Sequence, residues 1–247
     1  MSEILESGDI QFFFRPVVEE ESPEGLADVQ QFTVVLSPHD QTRHRMLVVG
    51  RKRLPDIADN EPLWAYVDLV TDDREAVTGA LTGEQYRTKT RGERHQPAAR
   101  PAGEGVYALE ADGDVRLAYL LELPDDPGPV QQVLDIAPQA RYVLQVKNPE
   151  VGAPAGVGLP PQRRPEFPPR LSQHIGDRRW VPADPREFLD YEGAELLLIG
   201  AAEDPGDPAR SQLEAEDEDS HSADVFQRLR LRRDKHPVRP LLEGSWD

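Results

Sequence analysis

Between Gln85 and Arg100 the chain reads QYRTKTRGERHQPAAR, with Arg87, Lys89, Arg91, Arg94 and Arg100 set against one acid, Glu93. Guanidinium forks and threonine hydroxyls suit phosphate or carboxylate, and Gly92 lets backbone N–H groups approach such a group. His95 lies inside the run, where an imidazole could serve as acid or base. The expected chemistry is anion binding. The plain alternative is a solvated loop that pairs with the acidic body around it, because charge runs usually face water. A second group of bases, in GRKRLPD (50–56), contains Arg51 and Arg53. It ends an expected strand, and it could complete the same anion site or protect a sheet edge.

Other motifs carry less. Gly103-Glu-Gly105-Val-Tyr-Ala108 has glycine spacing suited to a dinucleotide, but a proline-rich loop precedes it and a strand follows, so the fingerprint is rejected. The chain has no Walker A, no G-x-S-x-G and no H-E-x-x-H sequence. Its six histidines are scattered without metal-ligand spacing on one element. Asp177, Asp184, Asp190, Glu192 and Glu195 gather before an apolar strand. They read as turn and cap residues rather than as a magnesium site, so no metal is expected and no cofactor is indicated. Cysteine is absent, which removes disulfides, thiol nucleophiles and zinc–thiolate sites together.

The chain's strongest polarity lies near its end. Ala202 to Asp224 holds nine acids and one base; Val225 to Arg239 holds six bases and one acid. Such blocks point to a tail that folds back on its own body or docks on a partner. Phe226, Leu229 and Leu231 form an apolar stripe among the arginines, and Trp246 supplies an aromatic anchor out of place in a free tail. Docking within the same chain is the simpler of the two.

These residues need elements to hold them. Ile10–Val18, Gln31–Leu36, Arg45–Gly50 and Trp64–Val70 read as strands from their aromatic and β-branched runs. Asp-Gly between Gly105–Glu110 and Val115–Leu123 predicts a tight hairpin. Acids after Val70 predict a helix start, with the helix reaching Leu81 and stopping by Gly83. Pro129–Ile136 suits a short helix, and Tyr142–Val146 and Glu195–Gly200 suit strands. The basic run 85–101 is unpatterned and reads as a loop; seven prolines and three glycines make 149–170 a long loop or linker. Arg-led strands (Arg45, Arg141) followed by Pro55 and Pro149, then Trp64 and Trp180 before further strands, suggest an internal repeat. The sum is an α+β fold, mostly antiparallel sheet with few short helices, and the repeat points to two related lobes. The expected division is 1–101, 102–201, an acidic linker 202–224 and a basic, apolar docking tail 225–247.

Net charge is −18, so nucleic acid and anionic membranes are not expected partners. The acidic start lacks a secretory h-region, and the most apolar stretch, Ala194–Ala202, is far too short to span a bilayer, so a cytoplasmic protein is expected. GRKRLPD (50–56), RPAGEGVYAL (100–109), VKNPE (146–150) and FLDYEGAELLLIGA (188–201) resemble an uncharacterised bacterial protein family. The resemblance implies a bacterial source and transfers no activity and no site residue. Three functions fit: a non-catalytic protein that binds an anionic ligand or partner through the basic loop; an enzyme on a phosphorylated or carboxylated small molecule with His95 as acid or base; or an assembly protein acting through its tail.

Overall fold

Alternation along the first strand decides the architecture. In β1 (Glu3–Pro16), Ile10, Phe12 and Phe14 turn one way and Phe13 the other, yet all four are buried. A strand apolar on both faces needs cover on both. A computed structural model describes residues 3–90, 92–152, 158–210, 213 and 223–246, and supplies both covers.

The inner cover is a barrel. β1 pairs with β2 (Val29–Pro38), which leads through β3 (His44–Val49) and β4 (Pro62–Thr71) by antiparallel neighbours. On its other edge β1 meets β7 (Arg100–Asp112), then β8 (Asp114–Leu123), β9 (Gln139–Lys147) and β11 (Glu195–Ala202). β11 pairs with β4 and closes the ring at eight antiparallel strands. The short β10 (Trp180–Pro182) extends β9 where β8 has stopped. Asp-Gly makes the β7–β8 turn as predicted, with Gly113 at φ +78, a region glycine enters without penalty.

This corrects the α+β reading and its two related lobes. The sheet is a closed eight-stranded antiparallel barrel with few short helices. The two halves of the chain share it: β1 hydrogen-bonds to β7, and β4 to β11. Neither half has a sheet of its own to close. The segment read as a loop over 85–101 holds a separate hairpin, β5 (Glu84–Thr88) with β6 (Gly92–Gln96), and the start of β7. Its solvated residues lack the apolar alternation that announces a strand.

The barrel interior is filled by side chains. Phe12 stacks on Phe32 at 6.3 Å and meets Tyr119 edge-on at 5.1 Å, and Tyr119 stacks on Tyr142 at 6.4 Å. One end is plugged by the 3₁₀ turn Arg186–Asp190, which buries Phe188 and Leu189. The other is bordered by α2 (Pro129–Leu134) and by Trp246, whose ring lies 5.2 Å from Phe14.

The outer cover lies over β1–β3. Phe13, Val35 and Met46 face outward and pack beneath α1 (Arg74–Leu81) and the C-terminal segment 223–246. That segment, here called the strap, follows α3 (Pro169–Ile175) and α4 (Asp207–Arg210) in the chain and contains α5 (Asp224–Gln227) and α6 (Arg239–Glu243). Asp73 caps α1 by accepting the Glu75 amide. No described helix is long and apolar enough to cross a membrane.

Candidate functional site

The basic hairpin is fixed at its base. The Glu19 amide donates to the His95 carbonyl at 2.9 Å, and the His95 amide donates to Glu19 Oε1 at 2.8 Å. His95 Nδ1 stands 2.8 Å from Glu21 Oε1, and the Arg94 guanidinium 3.6 Å from Glu19. Arg15 ties the hairpin to α1 by donating to the carbonyls of Ala80, Thr82 and Pro97. Burial lowers the Arg15 pKa, against the pull of Glu84.

Between this base and the strap lies a cleft of about 430 Å³, lined by Glu21, Thr82, His95, Arg100, Arg233 and Lys235 among others. Arg100 is almost fully buried and donates through Nη2 to the Glu21 carbonyl at 2.6 Å. Burial lowers its pKa too, opposed by Glu21 and Glu20. Arg233 covers the ring of Phe226 at 4.1 Å, and Asp234 accepts two hydrogen bonds from Arg232 at 3.0 and 2.6 Å. Pairing of Gln85 with His95 and of Arg87 with Glu93 puts His95 and Arg87 on one face of the hairpin. Glu93 shares that face, directly opposite Arg87.

The structure gathers only some of the predicted site. His95 and Arg100 line the cleft, while Arg94 turns to Glu19. Arg87 and Lys89 are exposed on the hairpin, and Arg91 lies outside the described residues. Arg51 and Arg53 belong elsewhere: Arg51 pairs with Glu61 at 3.3 Å, and Arg53 with Glu61 and Asp135 at 2.8 and 2.7 Å. Of the tail residues, Leu229 and Leu231 are buried against the outer barrel face, Phe226 packs at their edge, and Trp246 meets Phe14. Arg233 and Lys235 are the cleft residues that site reasoning missed. Their signal was present in the basic block 225–239, but sequence does not show that this block meets the hairpin.

A second cleft, about 400 Å³, lies at the other edge of the strap. Register places Asp9 of β1 opposite Ser37 of β2, both facing outward. Ser37 Oγ is 2.8 Å from His44 Nδ1, and His39 Nε2 is 2.6 Å from Asp9 Oδ1. Burial lowers the His44 pKa, with Arg74 acting in the same direction and Asp72 and Asp9 opposing. Arg228 of the strap also pairs with Asp9. These groups are engaged with one another, so the cleft acts as a polar clasp on the strap. Its two histidines looked scattered in sequence because only strand register brings them together.

The acids considered for magnesium disperse. Asp190 pairs with Arg43 and Arg45, Glu195 accepts from Lys147 and Trp64, and Glu192 accepts the Val70 amide. Among the described residues no group of three or more His, Cys, Asp or Glu could hold a metal ion. Comparison with protein-family models, curated proteins and solved structures found no match.

Proposed function

We propose that this is a non-catalytic binding protein that takes an anionic group into the cleft between the hairpin base and the strap. One observation carries the reading. In a molecule of net charge −18, cations from two distant parts of the chain, Arg100 on one side and Arg233 and Lys235 on the other, line the same concave surface. The acids beside them are partly occupied, Glu21 with His95 and Asp234 with Arg232. Guanidinium and ammonium donors around a concave site favour phosphate or carboxylate. Nucleic acid is disfavoured, because the rest of the molecule repels a long polyanion.

Calorimetric titration with inorganic phosphate, pyrophosphate and a simple phosphate monoester at low salt tests this. Saturable binding is expected in the native chain. R233Q/K235Q should weaken it about tenfold or more, the scale of one lost charge-assisted contact. Absence of saturable binding, or equal binding by the variant, overturns the reading. A second reading, an enzyme on a phosphorylated or carboxylated small molecule, is favoured by the His95–Glu21 pair, since a carboxylate beside an imidazole orients an acid–base group. H95Q separates the two: a binding protein keeps most of its affinity, whereas an enzyme loses turnover of a phosphate ester it otherwise cleaves.

A further inference from the structure

The cleft has two walls that belong to different parts of the chain. Arg100 stands on the barrel side with Arg15 nearby, and Arg233 and Lys235 stand on the strap. His236, next to Lys235, reports on the space between them. It is 1% exposed and its Nδ1 lies 2.7 Å from the Ala99 carbonyl, the contact of a donating N–H. Burial disfavours its charged form first and the Ala99 carbonyl opposes that; Arg15 from the barrel and Lys235 from the strap add to the effect of burial, and Asp234 opposes them. Cations of both walls therefore act on the same small region. The acids that face it are Glu20, Glu21 and Glu84 on the barrel side and Asp234 on the strap.

The rest of the strap is held differently. Glu104 accepts the Asp224 and Val225 amides at 2.9 and 2.8 Å. Asp9 pairs with Arg228, and Thr78 donates to the Leu229 carbonyl at 2.9 Å. Leu229, Leu231 and Leu241 bury against the barrel. Opposite charge, hydrogen bonds and apolar contact hold those parts. At the 232–237 turn the contact is mixed: His236 is buried on the Ala99 carbonyl, whereas Arg233 and Lys235 share one cleft with Arg100, and like charges brought together oppose docking.

Resting on the anion-binding reading, we infer that the strap is an anion-dependent latch: a dianionic phosphate group seated between Arg100 and the Arg233–Lys235 turn joins strap to barrel. The group needs charge for both walls, which selects a phosphate over a single carboxylate. Free phosphate and a phosphate monoester share this chemistry. A filled cleft tightens the strap, and by linkage a tighter strap raises affinity for the anion by the same factor. An empty cleft leaves the 232–237 turn the first part of the strap to open. Wider opening uncovers Phe13, Val35 and Met46.

Hydrogen exchange on the full chain, read by mass spectrometry, tests the latch. Inorganic phosphate and a phosphate monoester are used separately to distinguish the two sources. With either probe saturating, exchange over 232–242 should slow about fivefold or more, while the β8–β9 amides keep their rates. In the reverse direction, E104Q loosens α5 without altering a cleft residue and should weaken probe binding by a similar factor. T78A provides the same test should E104Q fail to fold. If a probe binds by calorimetry but strap exchange is unchanged and both variants bind normally, the latch is overturned and the binding site stands. If no probe binds saturably, both readings fall.

Discussion

At the plugged end of the barrel, Glu6 accepts hydrogen bonds from Arg45 and from the Tyr107 hydroxyl at 2.6 Å each, with all three side chains out of water. Burial drives the Tyr107 pKa well up and Glu6 raises it further, so the phenol remains a donor. For Arg45 burial works against the charge, but Glu6 and then Asp190 outweigh it and the net shift is upward. Losing one partner of such a pair leaves a buried charge behind. E6Q should therefore cost about 3–5 kcal/mol in urea unfolding, and E6M/R45M should cost less than E6Q alone. His236 makes a second residue-scale prediction. Its pKa is lowered in the folded chain, by burial first, so the unfolded chain binds more protons in mildly acidic solution. The stability tied to this site is present above about pH 6.5 and drains away as the pH falls below it. His44 acts in the same direction. Urea midpoints should fall between pH 7.5 and 5.5, and H236N should make the fall shallower; an unchanged slope would remove His236 from the account.

At the scale of elements, the strap depends on one close approach. Gly128 caps α2 directly against Gly244 at the end of α6, and the Val130 amide donates to the Gly244 carbonyl at 3.0 Å. A Cβ on residue 128 would sit 2.4 Å from that carbonyl oxygen, so α6 would have to move. G128A should cost about 1–3 kcal/mol and speed proteolysis within the strap before the barrel unfolds. Which elements were legible follows from how local their causes are. The β7–β8 hairpin rests on Asp-Gly within two apolar runs, and α1 rests on acids beside its first turn; both can be read from a few neighbouring residues. Closure of the barrel rests on β1 finding β7 and β4 finding β11, and no local pattern encodes those partners. Phe13, Val35 and Met46 read simply as strand residues, although they carry the docking surface for a segment at the far end of the chain. The β5–β6 hairpin escaped notice because its residues are solvated. For the same reason the sequence displayed both basic blocks but not the cleft they form together.

Over the whole molecule, a net charge of −18 makes the folded state repel itself. Salt shortens the reach of that repulsion to about 8 Å at 0.15 M ionic strength, so sodium chloride should raise the melting temperature. The cleft responds in the opposite sense, because its attraction for an anion is screened by the same salt. The two effects separate when chloride and phosphate are compared at one low ionic strength, a few mM of anion, where exclusion of phosphate from the surface is weak. A general field treats both anions alike, whereas a site gives phosphate an extra rise that saturates with concentration. R233Q/K235Q should abolish the extra rise and keep the chloride response. The variant is two charges more negative than the native chain, so its response to chloride should if anything steepen. Loss of the phosphate increment could not then be blamed on a molecule that no longer feels salt. Equal melting temperatures in the two anions for the native chain would instead assign Arg100, Arg233 and Lys235 to the general balance of charge.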